Sequence, residues 1–176
     1  MLQPLQIIRL SPAAVRDAAA VLGAVLKDAV DGGASVSFMA DLTLERAEDF
    51  WCGVADAADT DGRVVITAAD AQGILGVVQV VPAGIDNQPH RGDVAKMLVH
   101  RRGRRQGIGT ALLVAAEQAA RDLGLTLLTL DTAQGSAAER LYIQAGWTRA
   151  GVIPDYALMP DGVLTGTVLF YKKVGG

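Results

Sequence analysis

The sequence predicts an α/β (α+β) fold in which a mixed sheet carries helices on both faces. Two observations lead to this prediction. Short apolar runs bounded by glycine, proline or aspartate recur along the chain, and longer runs with helical periodicity separate them. The inferred order, β-α-α-β-β-β-α-β-α-β-β, contains hairpins and one strand–helix–strand crossover, so both antiparallel and parallel pairing are expected.

The N-terminal half is expected to hold a strand, two helices and a hairpin. Ile7–Leu10 is predicted as a short strand, and the Ser-Pro pair after it is typical of a helix cap and first turn. One alanine-rich helix then runs to Asp31–Gly33. Thr43 caps a second helix, whose apolar stripe is formed by Leu44, Ala47, Phe50, Trp51 and Val54. The runs "RVVITAAD" and "GILGVVQVVP" flank the turn "DAQG" and predict a hairpin.

The C-terminal half contains the crossover. The strand "GDVAKMLVH" leads into a helix that Gly124 ends, and the apolar run "LTLLTLD" follows as a central strand. Ser136 caps a shorter helix, with Glu139 at the capping-box position. "WTRAGVIP" and "TGTVLFYKKV" are the last strands, joined by "MPDG". The long helix is expected to face the core with Ile108, Leu112, Ala115, Ala119 and Leu123.

Composition limits the kind of protein. A chain of 176 residues and 18.3 kDa fits one domain, residues 1–176. The net charge of −3 and pI near 5.3 argue against a general nucleic-acid binder. The N-terminus lacks a signal-peptide pattern, and the longest apolar stretch carries too many charges to span a membrane. We therefore expect a cytoplasmic protein.

The single cysteine and the two histidines suggest no chemistry of their own. Cys52 cannot form an internal disulfide, which fits a reducing compartment, and we expect it to be inert. His90 and His100 show no metal-ligand spacing, so no metal site is expected.

The stretch "RRGRRQGIGT", Arg101–Thr110, admits several interpretations. A nucleoside-triphosphate loop requires Gly-Lys-Ser/Thr, and the lysine is missing. A dinucleotide fingerprint requires a third glycine where Leu112 stands. A helix N-terminus lined by Gly107 and Gly109 can instead accept a diphosphate through its backbone N–H groups, since glycines leave room for phosphate oxygens. The remaining alternative is a solvated basic turn.

Two segments carry a family resemblance. "RRQGIG" resembles the R/Q-x-x-G-x-G/A motif of the GCN5-related N-acetyltransferase (GNAT) family, and "AERLYIQAGW" resembles the family's A-x-x-L-Y-x-x-x-G-F/W segment. The inferred element order agrees with the family over essentially the whole chain. The resemblance implies a GNAT-type three-layer fold with a mostly antiparallel sheet of about seven strands. It also implies acetyl-coenzyme A (acetyl-CoA) as cosubstrate.

The resemblance implies a set of cofactor-binding residues. The backbone of the "MLV" strand would face the pantetheine and the thioester carbonyl, and the loop would hold the pyrophosphate. Many relatives place an asparagine seven residues before the motif tyrosine, but Gly135 stands there, and no such contact is transferred. The implied cofactor-binding residues are Met97, Leu98, Val99, Arg104, Arg105, Gln106, Gly107, Ile108, Gly109 and Thr110.

Three residues are candidates for catalysis. Tyr142 matches the family tyrosine that protonates the leaving thiolate; the alternative is a packing tyrosine. Asp93 begins one central strand and Asp131 ends its neighbour, so both are expected to border one cleft. There they would attract a cationic amine and accept its proton. The alternative for both is a structural aspartate.

The segment between the first two helices is expected to wall the acceptor pocket. Phe38 and Met39 would line it and Asp41 would meet a cation; alternatively the first two fill the core and Asp41 helps to cap the next helix. "GGASVSFMADL", "VAKMLV" and "LDTAQGSAAE" further resemble the tabtoxin-resistance branch of the family, which acetylates a small amino-bearing β-lactam toxin. In that branch acidic groups line the acceptor site.

We therefore expect an acetyl-CoA-dependent N-acetyltransferase that acts on a small-molecule amine by direct attack in a ternary complex. The acceptor would be an amine such as an antibiotic or toxin. Two alternatives stay open, a protein or peptide N-acetyltransferase and a non-catalytic acyl-CoA sensor. Neither nucleic-acid nor membrane partners are expected. The family resemblance is compatible with a homodimer, for which "TVLFYKKV" is the candidate pairing edge.

Overall fold

The computed structural model describes residues 5–175, so the ends of the predicted domain, residues 1–4 and Gly176, lie outside the described part. Its seven strands are β1 (Gln6–Leu10), β2 (Val64–Asp70), β3 (Gly73–Pro82), β4 (Arg91–Val99), β5 (Leu127–Ala133), β6 (Thr148–Leu158) and β7 (Leu164–Lys173). Its α-helices are α1 (Pro12–Asp17), α2 (Ala19–Asp31), α3 (Leu44–Asp61), α4 (Ile108–Asp122) and α5 (Ala137–Gln144).

The strands form one sheet in the order β1-β2-β3-β4-β5-β7-β6. Every neighbouring pair is antiparallel except β4 and β5, which are parallel because the α4 crossover joins them. The predicted mixed, mostly antiparallel sheet is confirmed.

Two hydrophobic clusters cover the two faces of the sheet. Helices α1, α2 and α3 pack over β2–β4 around Leu22, Leu26 and Trp51, all fully buried. Helices α4 and α5 pack on the opposite face around Leu112, Leu128 and Phe170. Alternate residues of one strand point to opposite faces, so β3 contributes Val77 to the first cluster and Val78 to the second. The three-layer architecture follows from this packing.

The structure corrects several element predictions. The alanine-rich N-terminal helix is two helices, because the chain bends at Ala18, which has φ −91° and ψ 1°. Leu123 does not face the core; it lies just beyond the end of α4 and is 40% exposed. Strand β7 cannot serve as a pairing edge, because β5 and β6 already occupy both of its sides. The edge strands are β1 and β6.

Candidate active site

The central feature of the sheet is a split between β4 and β5. The two strands pair only from Arg91 and Leu127 to Asp93 and Thr129. Beyond this point β4 continues beside β3 and β5 continues beside β7, so their facing edges separate. A gap between two strands leaves backbone N–H and C=O groups without strand partners, which suits a ligand that hydrogen-bonds like an added strand.

The "MLV" segment lies on one edge of this gap. The Leu98 side chain is buried with α2 and α3, whereas Met97 and Val99 pack against the α4 cluster. The three side chains therefore pack in or against the core. Because backbone groups alternate between the two edges of a strand, some N–H groups of this segment point into the gap.

The loop after β4 is held in shape by its own arginines. Arg101 donates its backbone N–H to Asp28 over 2.8 Å and pairs with the same carboxylate through Nε. Arg102 donates to Asp70 over 2.7 Å. Arg104 donates Nε to the Val99 carbonyl over 3.3 Å and lies 3.8 Å from Asp28. Three of the four arginines are therefore partly structural.

Asp28 is the anchor of this loop, a role that was not predicted from the sequence. It lies on α2 with its side chain only 8% exposed, and it faces Arg101, Arg104 and, at 3.6 Å, His100 Nε2. Burial alone would raise the pKa of Asp28, but the hydrogen bonds from Arg101 and the charge of His100 outweigh it, and the pKa is lowered. Asp28 is therefore an anion that fixes the loop between β4 and α4.

The loop ends in a glycine that suits an anion. Gly107, the N-cap of α4, has φ 75°, and a Cβ built there meets no atom within 4 Å. No side chain caps the helix, so the first-turn N–H groups of Ile108, Gly109 and Thr110 have no side-chain partner among the described residues. Arg105 adds an exposed guanidinium before Gly107, with φ 61°. This arrangement is a ready-made anion site.

Glycine is required at position 109 for packing, and not, as expected, to leave room for phosphate oxygens. A Cβ built there lies 2.9 Å from Leu141 Cδ2 and 3.2 Å from Met97 Cε. The absence of a side chain therefore lets α4 approach α5 and β4 closely, while Gly107 is the position that leaves open space for a ligand.

Tyr142 lies on α5 beside the split and is 4% exposed. Its ring packs against Trp147 and Phe170 with centroids 5.9 Å apart in both cases. Burial, and secondarily the negative charge of Asp131, raise the pKa of Tyr142 well above 10. The phenol therefore keeps its proton at neutral pH, which a general acid requires.

Asp131 and Asp93 differ in their surroundings. Asp131 is exposed on β5 beyond the split point, accepts a hydrogen bond from Thr167 Oγ1 over 2.8 Å, and acts electrostatically on Tyr142. Asp93 lies at the last paired position of β4, where Arg91 Nη1 donates to it over 2.6 Å and Thr129 Oγ1 also donates. The charge of Asp131 thus reaches Tyr142, whereas the charge of Asp93 is balanced by Arg91.

The α2–α3 segment places its predicted residues in three different environments. Phe38 packs edge-on against Phe50 of α3, with ring centroids 5.5 Å apart, and joins the core. Met39 is 38% exposed. Asp41 is also exposed and lies 3.9 Å from Arg46, while Thr43 caps α3. Of the three, Met39 is the one whose side chain is both apolar and accessible.

Lys96 lies next to the α2–α3 segment and was not predicted from the sequence as a site residue. Two residues of β4, Lys96 and Met97, lie opposite Val78 of β3 in a β-bulge, and Lys96 has φ 48°. Its Nζ donates to Ser37 Oγ over 3.0 Å and lies 5.5 Å from the centroid of the Phe50 ring. Burial lowers the pKa of Lys96, and the charge of Asp131 partly opposes this.

Both unassigned residues have a signal in the sequence. Asp28 is an acidic residue within the apolar stripe of an alanine-rich helix, and Lys96 is a lysine within an apolar strand. A charge inside an apolar pattern is expected to have a buried partner or a function.

Over residues 5–175, no helix is long and apolar enough to cross a membrane. In the same part of the chain, no group of three or more His, Cys, Asp or Glu residues is placed to hold a metal ion.

The split sheet offers strand-like hydrogen bonds and the uncapped N-terminus of α4 offers an anion site, so the two together suit an extended ligand that carries a phosphate. A family model described as "Acetyltransferase (GNAT) domain" matches residues 60–149, which include the split, the loop and Tyr142. The chain belongs to the GNAT family of N-acetyltransferases, enzymes that use acetyl-CoA as the acetyl donor.

Solved structures share the fold over nearly the whole chain. A ribosomal-protein-alanine N-acetyltransferase from Brucella melitensis is 20% identical, with a TM-score of 0.78 over 96% of this chain and 99% of that one. A GNAT-family acetyltransferase from Streptococcus pneumoniae is 24% identical, with a TM-score of 0.74 over 97% and 99%. The Salmonella typhimurium protein yncA, solved with its cofactor acetyl-CoA, is 16% identical, with a TM-score of 0.80 over 98% and 95%.

Proposed function

We propose that this enzyme acetylates the amino group of a small molecule by direct attack in a ternary complex. The observation that carries the proposal is Asp131, an exposed carboxylate at the β4–β5 split whose charge acts on the buried, protonated Tyr142. An exposed carboxylate there attracts a cationic amine, and a protonated phenol is ready to serve as an acid. No described residue stands out as an acyl carrier, which favours direct transfer.

The donor site would consist of the β4 edge and the loop that follows it. Its fit to acetyl-CoA rests on the open space at Gly107 and on the uncapped first turn of α4. The backbones of Met97, Leu98 and Val99 would receive the pantetheine arm. The pyrophosphate would be held by Arg104, Arg105, Gln106, Gly107, Ile108, Gly109 and Thr110.

In the proposed reaction acetyl-CoA supplies a thioester, and this chain supplies proton transfer. Asp131 holds the acceptor ammonium and takes its proton on a carboxylate oxygen, directly or through water. Asp93 is the second carboxylate of the same region, with its charge shared with Arg91. The amine nitrogen would then bond to the thioester carbon as the carbon–sulfur bond breaks. The Tyr142 hydroxyl would give its proton to the departing sulfur, and the second proton of the nitrogen would restore the Tyr142 hydroxyl. Phe38, Met39 and Asp41 belong to the segment that would wall the acceptor side.

The proposed identity of the acceptor follows from the resemblance to the tabtoxin-resistance branch. We propose an acceptor that is an amino-bearing antibiotic or toxin, and a cytoplasmic enzyme whose residues 1–176 form one acetyltransferase domain. If the enzyme is a homodimer, the unpaired edges of β1 and β6 are the surfaces available for strand pairing among residues 5–175.

Acetyl-CoA in excess should stabilise the purified protein against thermal unfolding. A ligand present at one hundred times its dissociation constant adds about 2.7 kcal/mol to the free energy of unfolding. The measurement is the unfolding temperature with and without acetyl-CoA, in parallel with free-thiol release over a panel of amines and short peptides. Acetyl-pantetheine, which lacks the pyrophosphate, is the matched control and should stabilise less.

The panel also separates the alternatives. Stabilisation without thiol release from any amine would favour an acyl-CoA sensor, and release only with peptides would favour a peptide acetyltransferase. Intersecting double-reciprocal lines are expected for a ternary complex. Parallel lines would contradict direct transfer.

Replacing Asp131 with asparagine should lower kcat/KM for the amine about 100-fold or more, within the range for loss of a proton-transfer group. The KM for acetyl-CoA should change little, because Asp131 lies on β5 and not on the loop. Asp93→Asn is the matched comparison and should lower kcat/KM less, since Arg91 already balances that carboxylate. Steady-state kinetics of both variants make the test, and an Asp93→Asn loss larger than that of Asp131→Asn would reverse the assignment.

A further inference from the structure

Lys96 is a cation in the acceptor region that has no anionic partner in the described structure. Its Nζ has three N–H donors and uses one, toward the Ser37 hydroxyl. No carboxylate lies within ion-pair distance of it among residues 5–175. Most lysines and arginines in this chain do have such a partner; Lys27 pairs with Asp31 and Lys172 with Glu117. A partly buried ammonium without an anion carries an electrostatic cost that a bound anion would relieve.

The backbone around Lys96 is strained on both sides of the contact. Lys96 has φ 48° in the β4 bulge, and its partner Ser37 has φ 78° in the α2–α3 segment. Side chains other than glycine seldom adopt this left-handed region, and such residues gather at binding and catalytic sites. Two of them joined by one hydrogen bond indicate that the position of the ammonium is fixed at a cost in stability.

The contacts of Lys96 join it to the elements that the proposed function assigns to the acceptor pocket. Ser37 belongs to the α2–α3 segment and Phe50 to α3. Among the described residues, Nζ forms no hydrogen bond with residues 104–110, the loop proposed for the pyrophosphate. The ammonium therefore lies beside α3 and the α2–α3 segment, which the proposed function gives to the acceptor.

Asp131 lies close enough to Lys96 for its charge to raise the lysine's pKa, yet the two do not form an ion pair. The acceptor region thus presents one carboxylate and one ammonium that are near each other but not joined. A ligand with an amine and an anion a short distance apart would pair with both.

We propose that Lys96 binds a carboxylate of the acceptor, so that the substrate class is amino acids and other amines with a carboxylate on a short linker. This inference rests on the proposed function, in which Asp131 receives the amine. The acceptor would lie between β5 and the α2–α3 segment, with its amine toward the split.

The test compares free L-amino acids with their primary amides as acceptors, for the wild type and for Lys96→Met. The wild type should prefer the acids. The variant should lose about 10- to 100-fold in kcat/KM for the acids, as expected for a charge-assisted hydrogen bond, and keep its rate with the amides. Acid and amide differ in the basicity of the amine, but this difference is common to both enzymes and cancels in the comparison.

Three controls make the result specific. Lys96→Arg should retain most of the preference for acids, because it keeps the positive charge. Lys173→Met removes an exposed lysine at the end of β7 and should change nothing. Stabilisation of Lys96→Met by acetyl-CoA should match that of the wild type, which shows that the variant is folded and binds the donor.

The outcomes separate this inference from the proposed function. Equal use of acids and amides by the wild type, or an equal loss with both in Lys96→Met, would overturn the role of Lys96 and leave the acetyltransferase intact. Turnover of neither acids nor amides, with acetyl-CoA bound and other amines acetylated, would overturn the substrate class. Turnover of no amine at all would overturn the proposed function and this inference with it.

Discussion

Tyr142→Phe should lower kcat about 10²- to 10⁴-fold, the range for loss of a general acid. The substitution removes one oxygen from a ring that stays packed between Trp147 and Phe170. Within the described structure the hydroxyl donates to no other side chain, so its loss leaves no partner unsatisfied. The unfolding temperature and the KM for acetyl-CoA should therefore change little, and steady-state kinetics should show a loss confined to kcat.

A matched control separates catalysis from the general loss of a phenol. Tyr156→Phe alters an exposed tyrosine on the edge strand β6 and should leave kcat unchanged. Unchanged turnover in Tyr142→Phe would contradict its role as the acid and would leave Tyr142 as a packing residue. A fall in both turnover and unfolding temperature would indicate that the ring itself had moved.

Sequence reasoning reached the fold because each layer has a local cause. Ser11, Thr43 and Ser136 cap helices as their residue types predict, and each accepts the expected first-turn N–H. The break at Ala18 was not predicted because no proline or glycine marks it in the sequence. From the sequence, β7 is a candidate pairing edge. In the structure β6 pairs with β7 in an antiparallel hairpin and occupies that edge.

Only the part of the site that depends on local sequence was predicted. Short motifs identified the loop and Tyr142, since both lie in contiguous segments. Asp28 and Lys96 act on residues 73 and 59 positions away in the chain, Arg101 and Ser37 respectively. Pairings across such distances depend on how α2, α3 and β4 pack together, and periodicity within one segment does not contain that information.

Asp28→Asn should raise the dissociation constant for acetyl-CoA about 10- to 100-fold, because hydrogen bonds to a charged group contribute about 1.5–3 kcal/mol. The carboxylate holds Arg101 and approaches Arg104, so its neutralisation should loosen the loop that precedes the uncapped end of α4. Donor binding, measured by titration calorimetry, should weaken more than the KM for the amine rises.

The pH dependence of stability shows whether Asp28 acts through its negative charge, because Asp28→Asn keeps the shape of the side chain and removes the charge. Burial opposes ionisation of Asp28, but Arg101 and His100 outweigh it and lower its pKa below the ordinary 3.8. A group with a lowered pKa in the folded state contributes stability above its unfolded pKa, and this contribution is lost as the pH falls through the folded value. The difference in unfolding free energy between wild type and variant should therefore be largest at pH 7 and shrink as the pH falls below about 4.

The matched control is Asp31, which lies on the same helix and pairs with Lys27 at the surface. Asp31→Asn should lower the free energy of unfolding by less than about 1 kcal/mol and leave donor binding unchanged. If Asp28→Asn binds acetyl-CoA as the wild type does, the arginines of the loop keep their arrangement without this anchor, and the N-terminus of α4 alone holds the phosphates.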